Sequence, residues 1–196
     1  MSIPKTIIQI GDIGEKNNQL LEKNQDYEYI FFQESDCINF LKNYYPPIFL
    51  NTFKNIIEYH HKSELFRYCY LYKKGGIYID IDLQCIKSFN EIIEMSGESD
   101  FISSICSREC NNGFIMTSAN NIIFKDLIGF IIKNINPIEY NYYNKHLFIT
   151  LNNPNPYQQY ILNGVKVYLF KEVSIEEYNY IIDEDGETII NSNDYF

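Results

Sequence analysis

The chain has 196 residues, 45% of them hydrophobic and 21% charged, with 26 acidic against 16 basic side chains and a formal net charge of -10. This excludes an intrinsically disordered chain and suits one domain, residues 1–196, large enough to bury a core. An acidic field of this size repels phosphate backbones and excludes general nucleic-acid binding. No run of about 18 apolar residues is present, so no membrane span is expected, and the first residues lack the layout of a signal peptide.

Ile3 to Ile10 is a β-branched run that ends at Gly11 and predicts a first strand. Asn18 to Lys23 predicts a helix and Tyr27 to Phe32 a second buried strand. Cys37 to Tyr45 is helical in pattern and stopped by Pro46-Pro47. Thr52 to Tyr59 predicts a further helix. In Lys62 to Lys74, Leu65, Tyr68, Cys69 and Tyr72 recur at i, i+3, i+4 and i+7 and form an apolar stripe. Two lysines and Gly75-Gly76 then end that helix, with basic groups at its negative pole and glycine beyond it. Ile77 to Ile81 follows as a strand. Asp100 to Ile105 predicts another strand, Asn120 to Lys133 a helix, and Asn134 to Asn144 a loop. Leu147 to Thr150, Val165 to Phe170 and Thr188 to Ile190 are expected as late strands. Alternation of strands and helices in the first half predicts an α/β fold with a mainly parallel sheet flanked by helices, in one compact domain.

The chemistry concentrates in SELFRYCYLYKKGGIYIDID, Ser63 to Asp82. Side chains alternate along a strand, so Asp80 and Asp82 are expected on one face, their Cα atoms roughly 6.5–7 Å apart. Two carboxylates at the carboxyl end of a buried strand repel one another, and a hard dication such as Mg²⁺ or Mn²⁺ relieves the repulsion. Ligands of open α/β sheets bind beyond those strand ends. Glu64 and Arg67 share a face of the preceding helix at i, i+3, and the glycine turn brings Arg67 toward any anion the metal holds. A dication and a guanidinium facing one pocket suit a diphosphate leaving group. Each feature alone is ordinary. A lone DxD is common, and Glu64 with Arg67 reads as a surface ion pair worth about 0.3–0.5 kcal/mol. Their joint occurrence in one helix–turn–strand unit is what points to a site.

IPKTIIQIG at the start and KSELFRYCYLYKKGGIYIDID resemble glycosyltransferase family 32, with its DXD sugar-binding motif. The family pattern falls on Glu64, Arg67, Gly75, Gly76, Tyr78, Asp80 and Asp82, and Asn112-Gly-Phe-Ile resembles its next segment. The resemblance implies a GT-A (Rossmann-like) fold, a UDP- or GDP-sugar donor, a Mn²⁺ or Mg²⁺ cofactor and retention of anomeric configuration. It implies metal binding by Asp82, a metal or ribose contact by Asp80, and a donor contact by Arg67. Glu64 would accept hydrogen bonds from donor hydroxyls. The backbone of Ile7, Ile8 and Gln9 would line the base pocket, with Tyr78 and Asn112 also on the donor side. The acceptor is expected to be a glycan or another hydroxyl compound. Several positions depart from the pattern. Ile8 and Gly11 stand where the family carries His and Trp in its first strand. Glu64 replaces the usual Asp, the late Thr-Gly-Pro segment survives only as Thr150-Leu151-Asn152, and no C-terminal Trp is present. Asn191, Ser192, Asn193 and Asp194 are candidates for a late metal or phosphate contact.

Other residues carry less. His60 and His61 are adjacent on a helix and expected to diverge. His146, near an expected strand start, reads as a late ligand or, with more weight, as a partly buried structural histidine, and Asp183 to Gly186 reads as an acidic turn. Cys37, Cys69, Cys85, Cys106 and Cys110 form an odd set without a CxxC pair, which fits free thiols in a soluble, cytoplasmic protein. Cys106 and Cys110 are spaced to share a helix face. Two rival readings stand beside a transferase. One is a catalytically reduced nucleotide-sugar or glycan-binding module, and the other is a structural α/β protein.

Overall fold

A computed structural model describes residues 2–12, 18–107, 109–136, 142–152, 154–175 and 178–192. The first half follows the expected alternation. Strand β1 (Thr6–Ile10) is followed by α1 (Asn18–Lys23), β2 (Glu28–Phe32), α2 (Glu34–Tyr44), α3 (Pro47–Asn55), α4 (Tyr59–Lys74) and β3 (Gly76–Ile79). β1 lies between β2 and β3 and pairs with both in parallel. Ile7 and Ile8 are fully buried and enter two different apolar clusters. A strand covered on both faces has this near-continuous apolar sequence.

The chain then continues through β4 (Leu83–Cys85), α5 (Phe89–Met95), β5 (Phe101–Cys106), β6 (Glu109–Cys110) and β7 (Phe114–Thr117). After α6 (Ile122–Lys133) and α7 (Tyr142–Thr150) come β8 (Tyr160–Leu162), β9 (Val165–Ile175), β10 (Tyr178–Ile182) and β11 (Thr188–Ser192). The main path of the sheet runs β2-β1-β3-β7-β5-β9-β10-β11-β4. It is mixed, not mainly parallel as the sequence pattern suggests. Among the described residues β1–β2, β1–β3 and β5–β9 are the parallel pairs, and the other seven are antiparallel. The physical reason lies in the connections. β7 inserts antiparallel between β3 and β5, and β9 to β11 form a meander whose short turns permit only antiparallel neighbours.

α4 is the central helix. Its predicted apolar stripe is only part of what it buries: His61 and every residue from Ser63 to Leu71 are covered. Leu65, Phe66, Tyr68, Cys69 and Leu71 are fully buried, and each such side chain contributes about 1.5–3 kcal/mol of transfer energy. Gly75 and Gly76 adopt φ of 68° and 107°. A Cβ on Gly75 would stand 2.6 Å from Ala119 N, and one on Gly76 2.7 Å from Thr6 O. The turn that returns the chain from α4 into β3 thus needs glycine for both conformation and space.

Four local expectations change. The helix expected over Thr52 to Tyr59 is broken after Asn55, and Tyr59 opens α4 instead. Pro47 does not only stop α2; it opens α3, where a missing N–H costs nothing. Leu147 to Thr150 is helical, because Tyr143, Leu147 and Phe148 lie at one helical face and bury there, overriding a β-branched and aromatic composition. Cys106 and Cys110 sit on the β5–β6 hairpin and not on a helix. All five cysteines are free, and burial raises the thiol pKa of Cys37, Cys69, Cys85 and Cys110.

Candidate active site

A cavity of about 320 Å³ opens beyond the carboxyl end of β3. α4 contributes His60, Glu64 and Arg67, which recur at i, i+4 and i+7 and so share one face. The segment after β3 contributes Asp80, Asp82 and Leu83. Asp80 and Asp82 therefore face the same space, but not by strand alternation. β3 ends at Ile79, and the Leu83 N–H donates to the Asp80 carbonyl at 3.2 Å, closing a turn. The Asp80 N–H still bonds the Gly113 carbonyl at 2.8 Å, in register with the β3–β7 ladder, and the chain turns only after it, so Asp82 is not on the strand.

Arg67 is held on all sides. Its guanidinium lies over the Tyr78 ring, 4.0 Å from the centroid. Nη1 donates to the Asn112 carbonyl, and Nη2 lies 3.4 Å from Asp80 Oδ1. Burial opposes its charge, but Tyr78, Asp80 and Glu64 outweigh it and keep the guanidinium protonated. Nε is buried without a hydrogen-bond partner among the described residues. The Tyr78 hydroxyl donates to Asp80 Oδ1, so one carboxylate oxygen is fixed by two groups.

Glu64 is equally constrained. Oε1 accepts from Asn112 Nδ2 at 2.7 Å, and Oε2 meets His61 Nδ1 at 2.8 Å. His60 and His61 do not diverge as expected: their ring centroids are 3.8 Å apart, with Nε2 to Nε2 at 3.1 Å. Packing against Tyr143 turns the His61 ring inward. Burial, then His61, lowers the pKa of His60. Asp82 differs from both. It forms no ion pair among the described residues, and the atoms around it, then the Asp80 charge, push its carboxyl above the usual carboxylate range.

The remaining predicted residues fall around this centre. Gln9 is buried behind the turn. Its amide donates to the Ile79 and Asp80 carbonyls, both at 3.2 Å, and accepts from the Tyr29 hydroxyl at 2.8 Å. Asn112 lines the cavity and ties Glu64, Tyr68 and Asn144 together. Ile7, Ile8, Gln9 and Tyr78 are not among the cavity-lining residues. Of the late candidates, Ser192 reaches the cavity, because β11 pairs with β4 and sets Ser192 opposite Leu83. Asn191 is beside it with a buried Oδ1 that has no hydrogen-bond partner among the described residues, while Asn193 and Asp194 lie outside them. His146 is on α7, stacked 3.4 Å from the Phe130 centroid, and has no part in the site.

Sequence reasoning missed the opposite wall. Glu109, Asn111, Asn144, Glu172 and Asn179 all line the cavity. One signal for Glu172 is present in the sequence. Tyr168 and Phe170 are buried four and two positions earlier on β9, so a glutamate in that alternation breaks an apolar face.

The donor set suits a hard dication. Asp80 and Asp82 supply oxygen ligands in one cavity, and the upward push on Asp82 reflects partly the charge repulsion that a cation relieves. Among the described residues no group of three His, Cys, Asp or Glu side chains converges for a metal.

The architecture is an α/β domain with a mixed sheet. The chain superposes on the PaToxG glycosyltransferase with a TM-score of 0.58 and 21% identity, over 76% of this chain and 68% of that one. Residues 14–99 match the family model described as the glycosyltransferase sugar-binding region containing the DXD motif. It is 25% identical over 170 residues to an uncharacterized glycosyltransferase of Acanthamoeba polyphaga mimivirus, covering 86% of this chain and 59% of the relative. It is 33% identical over 98 residues to a mannosyl phosphorylinositol ceramide synthase of Saccharomyces cerevisiae, covering 46% of this chain and 25% of the relative. The chain thus spans only part of the length of these relatives. Among the described residues no helix is long and apolar enough to cross a membrane.

Proposed function

We propose that the protein is a retaining, metal-dependent glycosyltransferase that moves a sugar from a UDP- or GDP-sugar to a glycan or other hydroxyl acceptor. The observation that carries this reading is the convergence of Asp80, Asp82, Arg67 and Glu64 on one cavity. The Arg67 guanidinium is fixed before any ligand arrives, so it needs no reorganisation to meet the charge that develops on a departing diphosphate. Asp82, with Asp80 beside it, would hold Mn²⁺ or Mg²⁺. When bound, that ion neutralises the diphosphate as a Lewis acid. Glu64 is oriented by Asn112 and His61, and its remaining lone pairs accept from hydroxyls of the donor sugar. Retention, the nucleotide and the base contact near Ile7 to Gln9 rest on the family resemblance.

Ligand linkage tests the reading directly. Mn²⁺ with UDP or GDP at about 100 times its Kd stabilises a fold by about 2.7 kcal/mol, an upward melting shift of about 5–10 °C for a chain of this size. Asp82→Ala is expected to abolish the Mn²⁺-dependent part, and wild-type protein to release nucleotide from a UDP- or GDP-sugar. An equal shift in the variant would remove Asp82 as a ligand. Nucleotide binding without any turnover would reduce the protein to a donor-binding module.

A further inference from the structure

Two adjacent asparagines divide the cavity. Asn112 turns its amide toward α4 and donates to Glu64, whereas Asn111 turns toward β9 and donates to Glu172 Oε2 at 2.8 Å. Asn111 cannot be flipped without loss, because its Oδ1 accepts from the Gly113 N–H at 2.6 Å. Ser104 Oγ donates to the same Glu172 oxygen at 3.3 Å. The other oxygen, Oε1, accepts no bond among the described residues. The Asp80 carboxylate lies just beyond: a Cβ on Gly113 would stand 2.5 Å from Asp80 Oδ2 and 3.0 Å from Asn111 Oδ1. Glu172 is therefore an oriented carboxylate with one oxygen open, one asparagine away from the DXD turn.

Nothing in its surroundings makes Glu172 a stabilising device. No ion pair engages it among the described residues, and burial raises its carboxyl pKa, with Glu109 adding in the same direction. A partly buried carboxylate with only neutral donors costs stability. Around it the cavity is lined by Glu109, Asn111, Asn179 and Ser192, and Glu109 is paired with Lys145 at 3.7 Å, which leaves Glu172 as the acid of this wall without an ion pair among the described residues. Arg67 is the one cationic residue among those that line the cavity, and it belongs to the α4 wall.

We propose that Glu172 is the acceptor-binding carboxylate, its Oε1 accepting a hydrogen bond from a hydroxyl of a neutral sugar or polyol. This rests on the glycosyltransferase reading and extends it to the acceptor class. A phosphorylated acceptor, such as the inositol phosphate headgroup in the names of fungal relatives, would bring a second negative charge against Glu172.

The test uses the full chain with Mn²⁺ and the UDP- or GDP-sugar it turns over. Hydrolysis of donor is measured first, then transfer to methyl α-D-mannopyranoside, methyl α-D-glucopyranoside, myo-inositol and myo-inositol 1-phosphate. Transfer is expected to at least one neutral probe and to be at least about tenfold poorer to the phosphate. A hydrogen bond to a charged group is worth about ten- to hundredfold, so Glu172→Gln should raise the KM for the neutral probe by that factor and lower the ratio of transfer to hydrolysis accordingly. Gln is isosteric, and a melting curve establishes its fold. Glu172→Asp, which keeps the charge on a shorter stem, should recover part of the loss. Equal losses of transfer and hydrolysis in Glu172→Gln, an unchanged KM, preference for the phosphate, or donor hydrolysis with no transfer to any neutral probe would each overturn the assignment. Absence of donor hydrolysis by the wild-type protein would instead sink the transferase reading, and this inference with it.

Discussion

The two walls of the cavity are built on different principles. On the α4 wall every charge has a partner: Arg67 is pinned by Asp80, Tyr78 and Asn112, and Glu64 by His61 and Asn112. On the β9–β11 wall, Glu172 is oriented by neutral donors alone and keeps an oxygen open. Groups that must be rigid before a charge develops are best saturated by the protein. Groups that must receive a variable partner keep an unsatisfied valence, at a cost in stability. Asp82 joins the second class although it stands beside Asp80: it lacks an ion pair, and its carboxyl is pushed upward.

Removing Arg67 should break the contrast most severely. Arg67→Ala leaves Asp80 and Tyr78 without their cation and is expected to cost about 2–3 kcal/mol in urea melts, discounted for the partial exposure of Asp80. Arg67→Lys keeps the charge but loses the planar fork and the stacking on Tyr78, so turnover should fall by more than about tenfold. If lysine were as active as arginine, the prearranged guanidinium would have no special role.

Gly113→Ala reaches both walls at once. Its new Cβ meets the ends of the Asp80 and Asn111 side chains, not backbone, so the fold can yield while the Asp80 carboxylate and the Asn111 amide cannot stay in place. The melting temperature should move by less than about 3 °C, whereas turnover falls about tenfold and more Mn²⁺ is needed. A large loss of stability with normal turnover in the surviving fold would contradict that separation.

The smallest effect sharpens the comparison through pH. The carboxyl of Glu172 titrates above its ordinary value of 4.5 in the fold. Its contribution is therefore fully present below the unfolded value and is lost as pH rises through the folded one. Metal-free Glu172→Gln should melt higher than wild type by up to about 2 °C at pH 7, the difference closing toward pH 4. A constant difference across that range would mean that the charge of Glu172 is not the cause.

How far the site was legible differs between the same two regions. The α4 wall is local: Glu64, Arg67, the glycine turn and Asp80 to Asp82 fall within 19 consecutive positions, 64–82, and their spacing alone predicts convergence. Even there the local rule misjudged the geometry. Strand alternation predicts Asp80 beside Asp82, but the chain turns after Asp80, the Leu83 N–H closing back on the Asp80 carbonyl, and the turn sets the pair in one cavity. The inward turn of His61 likewise depends on Tyr143. Ser192 was named as a candidate, but only the β4–β11 pairing sets it beside the turn.

By itself the sequence determined the elements whose signals are short-ranged: the β1 to β3 alternation, the buried helix α4, its glycine stop and the acidic pair beyond it. Such features follow from side-chain period, capping and backbone sterics, which act over a few residues. Tertiary structure alone decided that β7 enters the sheet antiparallel, that Leu147 to Thr150 is helical, and that β9 to β11 close the cavity with Glu172. Those outcomes depend on which distant surfaces are buried together, a free energy summed over the whole core that no local window contains.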